Sequence, residues 1–191
     1  MIVTMADKPT TYCDAINGMK AWEQTLHQQY HDLYYGFPIL EDDELFCRLM
    51  LEINQAGLSW TTILKKEANF RAAYEQFSIK KVAAYKQADI DRLLADAGII
   101  RNRLKVHAAI ANANTIIGLQ QQYGSFKNWL DVQHPLGRAE WTVLFKKTFC
   151  FTGGEIVQEF LMSTGYLPGA HDANCAIYKK VLQLKPKWYV K

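Results

Sequence analysis

The sequence predicts an all-α fold. Apolar residues recur at three- and four-residue steps along most of the chain, and helix-starting and helix-stopping residues punctuate those runs. No stretch alternates at period two for long enough to build a sheet, and no internal repeat is present. With 191 residues, 49% hydrophobic and 21% charged, the composition is that of an ordinary globular chain. A single helical domain of two packed lobes is expected over residues 11–183, between tails at 1–10 and 184–191.

No apolar run approaches the ~20 residues of a membrane span, so no membrane partner is expected. The opening residues Met1 to Thr10 lack the apolar core of a signal peptide, which makes a cytoplasmic location the expectation. In that compartment four cysteines stay reduced, and metal binding is a better use for them than disulfides. The net charge of +3 permits nucleic-acid binding without arguing for it.

Taken in order, the aromatic-rich segment around Trp22, Leu26, Tyr30 and Tyr34 ends at Gly36-Phe37-Pro38, which stops a helix. Glu41 to Glu44 place acids on the opening turn of the next helix, where the dipole favours them; it runs to about Gln55. Ser59 is positioned to cap a helix through Thr61 and Leu64 to Phe77, and Ser78 a short one through Val82 and Tyr85. Asp89 opens a helix with Ile90, Leu93, Leu94 and Ala97 on one face, which ends at Gly98. A long helix from Arg101 to near Gly124 follows, then helical stretches at Trp129-Leu130 and Trp141 to Phe145. Gly153-Gly154 open a helix that Gly165 stops, and a final helix is expected after Leu167-Pro168-Gly169.

Glu52 stands out. It shares a helical face with Leu45, Leu49 and Ile53, and is followed by the turn Ala56-Gly57-Leu58-Ser59 and then Trp60. Burying an unpaired carboxylate costs several kcal/mol, on the order of a domain's net stability. Such a residue is either satisfied by partners in the protein or kept for a ligand.

Two further patterns carry chemistry. Asp96-Ala97-Gly98-Ile99-Ile100-Arg101 reads as helix, glycine turn, helix with basic residues beyond it, the pattern of a helix-hairpin-helix. Amide groups at such a helix N-terminus can hold a DNA phosphate; the bland alternative is a solvated αα-corner. His171 and Cys175, four apart, suit one face of a helix and a tetrahedral metal, and Cys13 and His31 can complete a Cys2His2 set. Cys47 and Cys150 sit among apolar residues and are expected in the core.

Together these stretches resemble one family. Tyr30-His31-Asp32 leading to Gly36-x-Pro38, Leu51-Glu52, Gln55 to Trp60 with Lys65-Lys66, and Asp96 to Arg101 closely resemble the bacterial 3-methyladenine DNA glycosylase I family. The likeness continues through Phe149-x-Phe151-x-Gly153 to His171-x-x-x-Cys175 and spans the chain from Cys13 to about Tyr178.

The resemblance implies a helix-hairpin-helix glycosylase fold. A structural Zn2+ on Cys13, His31, His171 and Cys175 would join the N- and C-terminal segments. It implies hydrolysis of the N-glycosidic bond of 3-methyladenine in alkylated double-stranded DNA by a monomer that flips the nucleotide out. Glu52 would be the catalytic pocket carboxylate, with Tyr30, Trp60, Tyr35 and His27 lining the base site. Leu58 would act as the wedge, and Gly98, Ile99, Ile100 and Arg101 would hold the DNA backbone. Methylation at N3 makes the base cationic, which favours a buried anion and aromatic faces.

The chain also departs from the family. Tyr34-Tyr35-Gly36 replaces a usual Glu-Trp-Gly, His27 falls where a pocket Tyr is expected, and Cys13-Asp14-Ala15 lacks the Trp two residues on. Lys105 and Asp131 do not fall where the nucleophilic Lys or Asp of related glycosylases would, so a monofunctional enzyme without lyase activity is expected. The alternatives are a non-catalytic alkylation-damage-binding protein of the same fold, a helical metalloprotein unrelated to DNA, and a glycosylase shifted toward 3-methylguanine.

Overall fold

A computed structural model of the chain describes residues 11–189; the tail expected at 1–10 lies outside them. Among the described residues there are α-helices and no strands. The helices are α1 (Tyr12–Asn17), α2 (Ala21–Leu33), α3 (Asp42–Gln55), α4 (Trp60–Ala73), α5 (Ile79–Ala83), α6 (Gln87–Ala95) and α7 (Arg103–Tyr123). After these come α8 (Phe126–Gln133), α9 (Arg138–Thr148), α10 (Gly154–Ser163) and α11 (Ala176–Gln183), with 3-10 turns at Glu75–Phe77 and Lys187–Tyr189.

The central element is α3. Its periodicity predicts one buried face, yet every residue from Leu45 to Asn54 is buried. The reason is tertiary: α4, α7, α8 and α10 all pack on it, so its whole circumference lies inside. Arg48 and Glu52, one turn apart on this helix, are consequently carried into the interior at 4% exposure each. On one side the core is aromatic, with Phe126, Trp129, Trp141, Phe145, Phe149 and Phe160 from α8 to α10 in edge and stacked contacts.

One carboxylate ties these parts together. Asp42 at the start of α3 accepts hydrogen bonds from the amides of Phe126 (2.7 Å) and Lys127 (2.9 Å), which open α8, and from Gln120 Nε2 (2.8 Å) on α7. An anion at a helix N-terminus is favoured by the unpaired amides and the dipole.

The caps divide between expected and unexpected. Ser59 caps α4 by accepting from the Thr62 amide at 3.2 Å. Ser78 does not cap α5; Asp43 does so from α3, accepting from the Ile79 amide at 3.0 Å. The helix expected to reach Phe77 stops at Ala73, and Glu75, Gln76 and Phe77 then take positive φ angles of 51°, 59° and 55°. Left-handed backbone at three ordinary residues is unfavourable. Burial of Phe77, stacked on Tyr74 with ring centroids 5.3 Å apart, offsets it.

The last helix begins at Ala176, later than expected, so His171 to Cys175 form a loop. From residue 184 on, where a tail is expected, Pro186 is buried and Trp188 stacks on Tyr178 at 6.3 Å. Cys47 is fully buried as expected, whereas Cys150 is exposed, because it sits on the turn after α9 and only its backbone is engaged, by Asn112.

Replacing Asp42 by Ala orphans two amides and the Gln120 side chain, so it should lower unfolding stability by about 2 kcal/mol. Urea unfolding checks this. A loss under about 0.5 kcal/mol would show that water replaces the carboxylate at no cost.

Candidate active site

Four chain-distant side chains converge. Cys13 Sγ lies 3.2 Å from His31 Nε2 and 3.8 Å from His171 Nδ1, and the two histidine nitrogens are 3.0 Å apart. Cys175 Sγ lies 3.7 Å from His31 Nε2 and 3.9 Å from His171 Nδ1, and all four ligand atoms fall within 4.8 Å of one another. Edges of this length are those of a tetrahedron around a metal with sulfur at ~2.3 Å and nitrogen at ~2.0 Å.

The outer nitrogens are held as metal-bound imidazoles require. His31 Nδ1 is 2.6 Å from Asp32 Oδ1, and His171 Nε2 is 2.7 Å from the Tyr35 carbonyl oxygen. The expected residues are thus brought together, though not by a shared helix face. Cys175 sits at the N-cap of α11, and the loop before it curls so that both it and His171 face Cys13. Thr11, the N-cap of α1, donates to Asp172 at 2.7 Å and fastens the same two segments.

Beside this cluster lies an aromatic cage facing α3. Tyr30 on α2 is T-shaped against Trp60 (5.1 Å), the first residue of α4, and lies 5.6 Å from Tyr35. Tyr12 on α1 closes the cage with edge contacts to Tyr30 (6.2 Å) and Tyr35 (5.2 Å). Trp60 Nε1 is buried and has no hydrogen-bond partner. A buried indole N–H left unpaired is costly and is available to an acceptor on a bound molecule.

Glu52 enters this environment from below. Burial first, and then the charge of Glu159 on α10, push its carboxyl up to about 8, while Arg48 opposes that shift. Glu52 thus holds its proton well above the usual carboxylate range. Arg48 Nη1 donates to the Tyr30 hydroxyl at 2.8 Å with its guanidinium 5.0 Å from the ring centroid, fixing that ring.

His27 has both nitrogens engaged within the protein. Thr61 donates to Glu23 at 2.6 Å, so His27 Nε2–H donates to Thr61 Oγ1 at 2.9 Å, and Nδ1 accepts from the Tyr12 hydroxyl at 2.7 Å. Burial lowers its proton affinity, in keeping with this neutral tautomer. His27 thus reaches the cage through Tyr12.

Tyr12, Arg48 and Glu159 escape a reading of the sequence. The first lies on a helix too short to show a period, and the others look like ordinary positions until α3 is seen to be buried on all sides.

The turn after Glu52 is braced from the far side. Gly57 adopts φ +83°, where a side chain would be strained, and leaves Leu58 exposed at 40% beside the cage. Lys105, buried near the start of α7, donates to the carbonyls of Asn54 (2.9 Å) and Ala56 (2.8 Å).

Between α6 and α7 the Asp96–Asn102 connection is held by Lys66 Nζ on the carbonyls of Ala97 (3.0 Å) and Gly98 (3.1 Å). Gly98 is needed there for close approach, since a Cβ would lie 2.9 Å from Asp96 Oδ1 and 3.2 Å from Asn69 Cβ. Ile99 is buried and Ile100 half-buried, so both anchor the turn, while Arg101 is exposed ahead of Asn102, the N-cap of α7.

An all-helical scaffold with a buried acid close to an aromatic cage is a frame that can hold a flat ring. Residues 20–140 match the model of the methyladenine glycosylase family, and the chain belongs to that family. It is 35% identical over 175 residues to DNA-3-methyladenine glycosylase 1 of Escherichia coli (strain K12), covering 82% of this chain and 93% of that one. Identity to the DNA-3-methyladenine glycosylase of Haemophilus influenzae is 32% over 162 residues, covering 75% and 88%.

Among solved structures, a 3-methyladenine DNA glycosylase I variant in complex with 3-methyladenine superimposes with a TM-score of 0.76 at 30% identity, covering 85% of this chain and 95% of that one. The Staphylococcus aureus enzyme, in a structure describing 3-methyladenine recognition, gives 0.75 at 30% identity, with coverage of 85% and 94%.

The cluster predicts its own test. Cys175→Ser should lower bound metal, read by elemental analysis, and reduce the melting temperature by about 5–10 °C. Full metal content with an unchanged melting temperature would refute the cluster as a metal site.

Proposed function

We propose that the protein excises 3-methyladenine from alkylated double-stranded DNA by hydrolysing the N-glycosidic bond, as a monofunctional glycosylase. Family membership supports the reaction and substrate. The single observation that carries the site is Glu52, buried close to Tyr12, Tyr30 and Tyr35 of the cage that Trp60 completes.

The bond to a base methylated at N3 is already weakened by the positive charge, so the protein's task is extrusion, recognition and exclusion. Trp60, Tyr30 and Tyr35 offer π-faces worth about 1–2 kcal/mol to a cationic ring. Glu52 accepts hydrogen bonds from the base edge and stabilises its charge. Leu58 fills the space the nucleotide vacates. The Gly98–Arg101 turn serves as the hairpin that holds the backbone through amides and the Arg101 charge.

Lys105 is spent on two carbonyls, and Asp131 is tied to Lys127 (2.7 Å) and the Tyr166 hydroxyl (2.8 Å). Neither stands ready as a nucleophile, in keeping with hydrolysis without strand cleavage. Zn2+ is the metal that the Cys2His2 set favours, and with four protein ligands it supplies a cross-link and no chemistry.

Glu52→Gln should cut release of free 3-methyladenine from methylated DNA by about 10²-fold, measured by chromatography of the released bases. Its duplex affinity should stay within about twofold. Release equal to that of the unmodified protein would sink the role assigned to Glu52. Arg101→Glu should weaken duplex binding and flatten its salt dependence by about one unit of log–log slope, checked by fluorescence anisotropy across a salt series. An unchanged slope would remove Arg101 from the DNA contact.

A further inference from the structure

Glu159 has no part in the roles above, yet it stands at the cage. It lies on α10, which packs against α3, and its Oε2 accepts a hydrogen bond from the Tyr35 hydroxyl at 3.1 Å. Tyr35 in turn touches Tyr12 and Tyr30, so the carboxylate is anchored to the wall that faces Glu52.

We propose that Glu159 is a second specificity-determining carboxylate of the base pocket, which carries the pocket's negative charge while Glu52 holds a proton until a cationic base arrives. The proposal rests on the glycosylase reading and deepens it.

Two carboxylates in a poorly solvated site do not both ionise cheaply, and the better-stabilised one keeps the charge. Burial pushes the Glu159 carboxyl upward as well, with Glu155 on its own helix adding to this, but Glu159 is only half-buried, accepts from Tyr35 and is favoured by Arg138 on α9. Glu52 is 4% exposed and has Arg48 as its favourable charge. The deeper burial of Glu52 and the Tyr35 hydroxyl that donates to Glu159 place the proton on Glu52.

The other titratable groups around the pair are Tyr12 from α1, Tyr30 from α2 and Tyr35. All three are pushed upward by burial first and remain neutral across the working range. Glu52 and Glu159 are thus the groups whose charge changes.

Discrimination follows from this order. A neutral base leaves the proton on Glu52 and meets one anion. A base with fixed positive charge favours ionisation of Glu52, sends that proton to solvent and meets two. Coupling through the proton makes recognition of the cation stronger as pH rises.

The test uses the full-length, metal-loaded protein with 13C-labelled glutamate carboxyls, the Glu52 resonance being assigned by its loss in Glu52→Gln. Glu52 should titrate near 8 in the unmodified protein. Its midpoint should fall by about one pH unit or more in Glu159→Gln and Glu159→Ala, and stay high in Glu159→Asp. In parallel, the kcat/KM for 3-methyladenine release, which follows free-enzyme ionisation, should shift its midpoint the same way. The Gln variant should lose several-fold at pH 9 and little at pH 6.5.

A Glu52 midpoint indifferent to Glu159 overturns the proposal whether or not base is released. A uniform loss of kcat/KM at every pH with an unmoved midpoint assigns Glu159 a packing role and overturns it too. A shifted Glu52 midpoint without any base release leaves the carboxylate pair standing and defeats the glycosylase reading instead.

Discussion

The interior position of Glu52 is the constraint around which the other elements are arranged. Its helix is buried over ten consecutive positions, so a polar residue on it is largely cut off from bulk water. A domain's net stability of about 5–15 kcal/mol leaves little room for an uncompensated buried charge. The molecule answers with protonation, with Arg48 one turn away, and with a wall of tyrosines whose hydroxyls are themselves engaged. The surroundings of Glu52 come from different elements: α1 brings Tyr12, α2 brings Tyr30, and α10 brings Glu159, whose like charge favours the protonated form.

The metal-ligand cluster and the cage are not independent. His31 directly follows Tyr30, and His171 is anchored on the carbonyl of Tyr35, whose ring and hydroxyl line the cage. The four clustered side chains therefore do more than bring the segment at residue 13 to the loop at residue 171. They also fix where two aromatic walls stand, and α1 must be docked for Tyr12 to close the third side. Loosening either end of the chain would open the cage before it disturbed the aromatic core among α8, α9 and α10.

The proposed DNA-facing turns are similarly cross-braced. Lys105 links the start of α7 to the turn that exposes Leu58, and Lys66 links α4 to the Asp96–Asn102 connection. Both amines spend their charge on backbone carbonyls at helix ends, where the dipole favours a cation. Leu58 and the basic turn are therefore each tied to a neighbouring helix, Leu58 through Lys105 on α7 and the turn through Lys66 on α4. Lys66 and Lys105 are thus, in the fold, braces for the segments proposed to meet the DNA.

The sequence by itself determined the helical class, most helix positions and the four side chains of the Cys/His cluster. Those features rest on local physics: three- and four-residue periodicity, glycine and proline stops, and the side-chain types that suit metals and aromatic recognition. Glu52, Trp60 and Tyr30 were legible because a carboxylate within an apolar run is locally anomalous, and the family resemblance named their neighbours.

Only the tertiary structure decided what each residue pairs with. His171 and Cys175 meet through a loop rather than a helix face, Ser78 gives way to Asp43 as a cap, and Gly98 answers to the crowding of Asn69 rather than to its φ. The partnership of Glu52 with Glu159, 107 positions later, leaves no local trace, because a charge's ionisation depends on solvation and neighbours that chain folding alone brings near.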